Sequence, residues 1–457
     1  MVVTFKNFIK LFIRMKGLLI RLHEPGDQNM PSYGLASLAA AIRHKHTVEV
    51  LDCQVMRITI NKILKKISEP LRSKLRGITD NKTFEFIAVS CMYQFDINKI
   101  FKLVKTIKRN SPDIISIVGG LYASYNPRTM LKNGFDYVVV GEGEVTLIEL
   151  LESLESGGKI EAIKGIAYLT EDKQFIKNQE RELLELDALP ITKCDSNIIP
   201  NYRYIETSRG CIHNCKFCSS IVFWRHCWRK KSSERIIAEF EEAKKDGIKC
   251  ISIIDDNFIG NDPDRVEKLC KYLVKHNINI KWWCSIRADF VVKCPYIIKL
   301  MKFAGCSIIF IGFESMSDRI LKIYNKNTNV KTNISALNLL KKNGILVEGG
   351  FILGCTNESL IEMKKTIKFA RKCDFINIGP LVSSTIKQKK TTIYLAIYMA
   401  RIENVKVYIK TLFKLLLTAK KDLLVYHALL DQKRMIEEDI KSLLKRNILH
   451  FFCVNHN

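Results

Sequence analysis

The sequence predicts an α/β protein built from a doubly wound, Rossmann-like parallel sheet, then a partial (β/α)6 barrel, then a helical tail. Three observations predict it. Short apolar runs alternate with helical segments from residue 16 to about 160, and a second alternation of the same kind starts at Tyr204. From about 385 the chain turns Leu-, Ile- and Lys-rich with helical periodicity. Strands buried on both faces read as continuous apolar runs, and strands alternating with helices specify parallel pairing.

In the first series, residues 17–22, 47–51, 86–90, 114–118 and 136–140 read as strands. Helices are expected over 34–43, 96–108 and 145–155. Gly119 and Gly120, and then Gly141, Glu142, Gly143 and Glu144, close the fourth and fifth strands. We place this domain at 16–160. Residues 165–178 read as a hairpin turning at Glu171 and Asp172. A charged, then irregular stretch with Pro190 and Pro200 follows, so 161–200 is taken as hairpin and linker.

The second series has strand-like runs at 204–207, 250–254, 281–285, 307–312, 346–353 and 375–378. Six such units over 201–385 suit an incomplete barrel, whose active site belongs at the C-terminal strand ends. Residues 386–457 form the helical C-terminal region. From 381 onward there are fourteen Lys/Arg against six Asp/Glu. Helices packing on the barrel are favoured there over an amphipathic membrane-surface helix.

The chain has 457 residues, a formal net charge of +26 and 15 cysteines. The odd, uneven cysteine count does not read as a disulfide framework, so a reducing cytoplasm is expected. The Lys excess is spread along helical faces and reads as solvation rather than a nucleic-acid footprint. No window is long and uncharged enough to span a membrane. Residues 1–14 are apolar and basic without a cleavage site. Either they form an amphipathic helix or the chain starts at Met15.

Residues 204–220 read YIETSRGCIHNCKFCSS, which places Cys211, Cys215 and Cys218 in a C-x3-C-x2-C loop after a strand and a Gly. Three thiolates on one loop suit three irons of a cubane cluster and leave the fourth iron open to a chelating small molecule. A closed zinc site wants four ligands, and His213 is sterically awkward as the fourth in so short a loop. Phe217 stands where an aromatic ring can pack on adenine. The other twelve cysteines read as buried free thiols.

This loop closely resembles the signature of the radical S-adenosylmethionine (radical SAM) superfamily, and residues 204–380 resemble its catalytic domain. The resemblance implies a [4Fe–4S] cluster on Cys211, Cys215 and Cys218. It implies SAM contacts at Phe217, at Asp255 and Asp256 after the second strand, at Arg287 after the third, at Glu314 after the fourth, and at Gly350 and Gly354, with Glu358, beside adenine. Each has a plain structural alternative. Asp255, Asp256 or Glu314 could cap a helix, and Arg287 and Asp289 could be a surface pair.

Residues 17–150 resemble the cobalamin-binding domain found in front of such enzymes, on the segments PSYGLASLAAAIR, LDC, IAVSCM, IVGGLYAS and DYVVVGEGEVTLIELLE. The implied contacts are Ser90, Gly119, Gly120, Tyr122, Gly141, Glu142 and Gly143. No His occurs between His46 and His213, so the cobalt-ligating Asp-x-His-x-x-Gly motif is absent. Tyr122 stands where relatives often carry a His. Two further departures lie downstream. Cys355, Thr356 and Asn357 replace the usual Pro before Glu358, and a Pro-Gly-Thr stretch is missing after Pro380.

The resemblance implies cleavage of SAM to a 5′-deoxyadenosyl radical and cobalamin-dependent methylation of an unactivated carbon. A cobalamin-dependent cyclase or rearrangement enzyme is the alternative, and a non-catalytic cobalamin or redox sensor is the alternative of another class. The implied partners are a small-molecule or lipid substrate and an electron donor such as flavodoxin or ferredoxin. Peripheral membrane contact stays open through the basic tail. A methylthiotransferase is disfavoured because only Cys53 and Cys91 precede Cys194 and the C-terminus reads helical, which also argues against RNA.

Overall fold

Apolar residues of the first strand divide between two cores, and that division sets the architecture. Leu18 and Ile20 face one core while Leu19 faces the other, as period-2 alternation requires of a strand covered on both sides. In this computed structural model the described residues are 14–22, 32–56, 58–75, 84–93, 97–193, 201–355, 357–380 and Asn404. The predicted helical region 386–457 therefore lies outside the described residues, apart from Asn404. The chain divides into two units, Met1–Ile198 and Ile199–Asn457.

The first unit runs β1 (Lys16–Arg21), α1 (Tyr33–Ile42), β2 (Thr47–Asp52), α2 (Cys53–Met56), α3 (Ile60–Leu75), β3 (Phe86–Ser90), α4 (Ile97–Asn110) and β4 (Ile115–Gly119). It continues with α5 (Leu121–Tyr125), α6 (Pro127–Lys132), β5 (Tyr137–Val139), α7 (Glu144–Ser156), β6 (Ile166–Leu169) and β7 (Phe175–Lys177). The sheet order is β2-β1-β3-β4-β5-β6-β7. The first five strands are parallel, with α1 and α7 packed into one core and α3, α4 and α6 into the other. Chain order reverses between β1 and β3, which makes the C-terminal ends of those strands a switch point where open α/β sheets bind ligands.

Two features of this unit differ from the sequence expectation. The hairpin read as part of the linker adds β6 and β7 to the sheet edge, β6 antiparallel to β5 and β7 antiparallel to β6. Alternation alone reports a half-buried strand and not its partner. Helix α3 went unread because Lys residues and Pro70 break up its apolar pattern.

The second unit runs β8 (Tyr202–Ile205), β9 (Ser208–Gly210), α8 (Ser220–Phe223), β10 (Trp228–Lys230), α9 (Ser233–Lys245), β11 (Cys250–Ile253), α10 (Pro263–Lys275) and β12 (Lys281–Ile286). It continues with α11 (Ala288–Lys293), α12 (Pro295–Phe303), β13 (Cys306–Glu314), α13 (Asp318–Ile323), α14 (Val330–Lys342), β14 (Leu346–Leu353), α15 (Leu360–Ala370) and β15 (Phe375–Pro380). Six strands pair in parallel in the order β15-β14-β13-β12-β11-β8. Chain order never reverses. One core joins Ile251, Trp282, Ile309, Val347 and Ile376 to residues of α9, α10, α12, α14 and α15. The helices thus cover one face of the sheet, and the other face is left for chemistry, as in a partial barrel. Caps fix the helix starts: Ser232, Asp262, Ser317 and Asn329 each accept an N–H of the first turn, and Ser359 with Glu362 forms a capping box. At the sheet edge, Asn404 accepts from Ile378 N–H at 3.1 Å and donates to the Ile378 carbonyl at 3.2 Å.

Candidate active site

The cysteine loop is clamped at both ends. β9 leads into it and pairs antiparallel with β10, which follows it, in the register Gly210↔Trp228. Gly210 has φ +84°, and a Cβ there would fall 2.0 Å from the Cys227 carbonyl oxygen, so only glycine lets the two segments close the loop. β9 and β10 were missed in the sequence because three residues are too few to show a period.

Cys211, Cys215 and Cys218 are all free thiols. Asn257 Nδ2 lies 3.8 Å from Cys211 Sγ, and Arg287 Nη1 lies 3.9 Å from Cys215 Sγ. The backbone N–H groups of Ser220 and Ile221 are directed at Cys218. Each sulfur is thus provided with a donor suited to a thiolate. Burial pushes the Cys215 and Cys218 thiols up, so bonding to a metal is what would hold them ionised. Among the described residues no group of three or more His, Cys, Asp and Glu is placed to hold a single metal ion. Burial, followed by the nearby Arg287, lowers His213 to about 4, a neutral imidazole. The donor set fits a three-cysteine cluster with one open iron and does not fit a closed zinc site.

Around the loop, predicted residues take different parts. Asp255 accepts from Thr207 N–H at 2.7 Å, from Thr207 Oγ1 and from Ser208 Oγ at 2.6 Å. Both its oxygens are engaged by the segment between β8 and β9, so Asp255 braces that segment. These three bonds leave one lone pair of Oδ1 unused, so the bracing role stands beside the expected SAM contact. Asp256 is exposed and accepts from Ser220 Oγ at 2.5 Å. Neither caps a helix, since the cap of α10 is Asp262.

Arg287 is buried at the end of β12. It donates to Asp289 at 2.9 Å and to the Lys326 carbonyl at 2.5 Å. Glu314 ends β13 with φ +62° and forms a buried ion pair with Lys326 at 2.7 Å. Gly312 leaves room for that pair, because a Cβ there would fall 2.3 Å from Glu314 Oε1 and 3.0 Å from Lys326 Nζ. Lys326 Nζ also sits 5.7 Å from the Phe217 ring centroid, and Phe217 packs edge-on against Tyr324 at 5.4 Å. Sequence reasoning missed Lys326, which lies in the polar turn 325–329 and carries no periodic or motif signal.

The predicted glycines divide. Gly354 has φ +90° and donates at 2.7 Å to Glu358, whose same oxygen accepts from Cys355 N–H at 3.1 Å. Burial raises Glu358 to about 7. At Gly350 a Cβ would fall 2.6 Å from the Phe310 ring, so the adjacent strand by itself calls for glycine there.

In the first unit, Ser90 and Gly119 are register partners at the ends of β3 and β4. Gly120, at φ +101°, would place a Cβ 2.7 Å from the Cys91 carbonyl oxygen, and Gly143 would place one 2.9 Å from Leu38 Cδ2. Both are therefore explained by packing. Glu142 is buried and accepts Leu184 N–H at 2.8 Å. Gly141, with φ +85°, has open space around it and donates to Ser124 Oγ at 3.0 Å. Half-buried Tyr122 donates its backbone N–H to Cys91. Ser90, Gly119, Tyr122 and Gly141 leave backbone and space at the strand ends, which fits a broad, flat cofactor.

Comparison with known proteins matches the same two parts. The family model described as Radical SAM superfamily matches residues 205–370, and the B12 binding domain model matches residues 26–151. An uncharacterized methyltransferase of Pyrococcus horikoshii is 32% identical over 75% of this chain and 74% of its own. The anaerobic magnesium-protoporphyrin IX monomethyl ester cyclase of Rubrivivax gelatinosus is 28% identical over 60% of this chain and 52% of its own. The structure of OxsB, a cobalamin-dependent S-adenosylmethionine radical enzyme with aqua-cobalamin and S-adenosylmethionine bound, superposes with a TM-score of 0.66 and 25% identity. That superposition covers 84% of this chain and 55% of OxsB. The chain thus spans only about half the length of the latter two.

Proposed function

The chain belongs to the radical SAM superfamily and carries a B12-binding domain, and from that premise we propose that it methylates an unactivated carbon of a small-molecule substrate. It is a radical SAM enzyme whose cofactors are a [4Fe–4S] cluster, SAM and cobalamin. Bound together, these supply one-electron cleavage of a sulfonium, a carbon-centred oxidant and a methyl donor.

The protein's part is to hold, orient and exclude water. Cys211, Cys215 and Cys218 would ligate three irons, with Asn257 and Arg287 donating onto two of the sulfurs. Glu314 and Lys326 would bound the ribose and carboxylate ends of SAM, and Phe217 its adenine. Asp255 and Asp256 would be the carboxylates near the methionine amino group. Ser90, Gly119, Tyr122 and Gly141 would line the corrin site. An electron donor of the flavodoxin or ferredoxin kind would supply the reducing equivalent.

The observation that carries this reading is three free cysteines, each furnished with an N–H donor, on a loop at the open ends of a parallel sheet. The test is anaerobic reconstitution with iron, sulfide and hydroxocobalamin, followed by dithionite and SAM. A cluster band, a retained corrin band after desalting and release of 5′-deoxyadenosine are expected. Loss of the corrin band removes the methyl-transfer reading, and absence of 5′-deoxyadenosine removes the radical one. The similarity to the Rubrivivax cyclase favours ring formation as the second reading. Methyl transfer forms S-adenosylhomocysteine beside 5′-deoxyadenosine, whereas cyclisation forms none.

A further inference from the structure

We propose that the Glu348 carboxyl, framed by Trp283 and Phe310 on the inner face of the second unit, is the seat for a protonated amine of the substrate. The proposal rests on the radical enzyme reading above and names a substrate class for it. Strand parity sets the placement. Val347, Phe351 and Leu353 of β14 join the helix-covered core, as do Trp282, Cys284 and Ile286 of β12 and Ile309, Ile311 and Phe313 of β13. Their neighbours Glu348 and Gly350, Trp283 and Ser285, and Phe310 therefore face the other side. Register pairs Phe310 with Glu348 and Ser285 with Phe310, so these residues lie side by side on three adjacent strands. Trp283 Nε1 donates to Glu348 Oε2 at 3.3 Å, and the Trp283 and Phe310 ring centroids are 6.5 Å apart.

Depth points to a ligand. Glu348 lies three residues before Phe351 of β14, the register partner of Glu314. At about 3.3 Å of rise per residue, the carboxyl sits roughly 10 Å beneath the rim that carries Arg287 and Glu314. Yet Trp283, Ser285, Phe310 and Glu348 keep partial exposure in mid-sheet, and Asn377 of β15 is exposed on the same face. Solvent therefore reaches the floor of this face. Among the described residues the one bond of Glu348 is to Trp283, and no cation pairs with it. Lys281, the cation on this face of β12, is exposed at the opposite end of the strand.

A carboxyl with little solvent and no counter-charge is costly to ionise, and burial raises Glu348 to about 7. A ligand ammonium supplies the missing charge, and the aromatic faces of Trp283 and Phe310 attract the same cation. The substrate so read has its reacting carbon at the rim and its amine about 10 Å away. The sequence offered a sign of this: Glu348 is the one charged residue inside an otherwise apolar run, 346–353.

The test uses the full chain, reconstituted anaerobically with cluster, cobalamin and SAM, and isothermal titration with two probes. These are 2-phenylethylammonium and its neutral counterpart 2-phenylethanol. The amine is expected to bind at least tenfold tighter than the alcohol. Glu348→Gln should erase that preference, and Glu348→Asp should keep part of it. Iron content and thermal midpoint equal to wild type show that the variants are folded. Equal affinity for the two probes, no binding of the amine, or an unchanged preference in Glu348→Gln would overturn the proposal. The premise is read separately: if wild type releases no 5′-deoxyadenosine with dithionite and SAM, the radical enzyme reading falls, whatever the amine does.

Discussion

The strand ends of the two units use opposite means of preparing a site. In the second unit the rim is a web of side chains that touch one another: Cys215 to Arg287, Arg287 to the Lys326 backbone, Lys326 to Glu314, and Lys326 above Phe217. In the first unit the expected contacts after β3, β4 and β5 are glycine, serine, tyrosine and backbone, with the one carboxylate among them, Glu142, bonded to Leu184 N–H, while a buried Arg21–Asp52 pair closes the ends of β1 and β2. A small charged ligand that must be fixed in orientation calls for the first arrangement. A broad, flat one calls for the second. The difference sorts mutations: in the second unit, removing a side chain should do the damage, and in the first, adding one.

The largest expected effect is Cys215→Ala. It removes one of three thiolates, and the chain should lose most of its iron and all measurable 5′-deoxyadenosine release, a fall of at least about 10³-fold. Full iron retention in this variant would break the assignment of the loop. Next comes the Glu314–Lys326 pair. Both side chains are buried, so Lys326→Met leaves an uncompensated carboxylate and should cost about 3–5 kcal/mol in urea unfolding. The double variant with Glu314→Gln should recover most of that, because no lone charge is then left inside. An unrecovered double variant would mean that the pair is not the electrostatic unit described here.

What the sequence made legible follows the same division. Strand positions in both units were readable because parallel strands covered by helices are continuous apolar runs. The cluster cysteines were readable because their spacing is itself the ligand geometry. Lys326 was not, because its partner Glu314 is twelve residues away across helix α13 and neither residue has a period. The bracing role of Asp255 was illegible for a related reason. Sequence places it at the right strand end but cannot show that Thr207 and Ser208, nearly fifty residues earlier, already occupy its oxygens. Gly350 was placed in the right strand, but its packing against Phe310 of the adjacent strand was not legible.

In the first unit the comparison sharpens at two glycines. Gly120→Ala must adopt φ +101° and push a Cβ to 2.7 Å from the Cys91 carbonyl, whereas Gly141→Ala must adopt φ +85° in open space. The first should cost about 2–3 kcal/mol and the second about 1 kcal/mol, since only strain at positive φ remains there. Equal thermal midpoints would refute the packing reason given for Gly120. If a corrin fills the open space, Gly141→Ala should nonetheless lower hydroxocobalamin retention after desalting, so that stability and cofactor binding part company at this one position.

A further effect is a pH dependence in the turn after β14. Burial raises Glu358 from the ordinary carboxylate value of about 4.5 to about 7, while the N–H groups of Gly354 and Cys355 and the charge of Arg319 pull the other way. Because the folded pKa is the higher, the folded chain binds more protons than the unfolded one between these values. The stabilising contribution is complete below about 4.5 and is lost as pH rises through about 7. Glu358→Gln cannot titrate, yet its amide oxygen can still accept the two N–H groups. The variant should therefore match wild type near pH 4.5 and exceed it by about 1–3 kcal/mol at pH 8. Urea midpoints at the two pH values measure the difference. If the gap between the chains is the same at both, Glu358 is already ionised in the fold, and the two backbone donors outweigh burial at this turn.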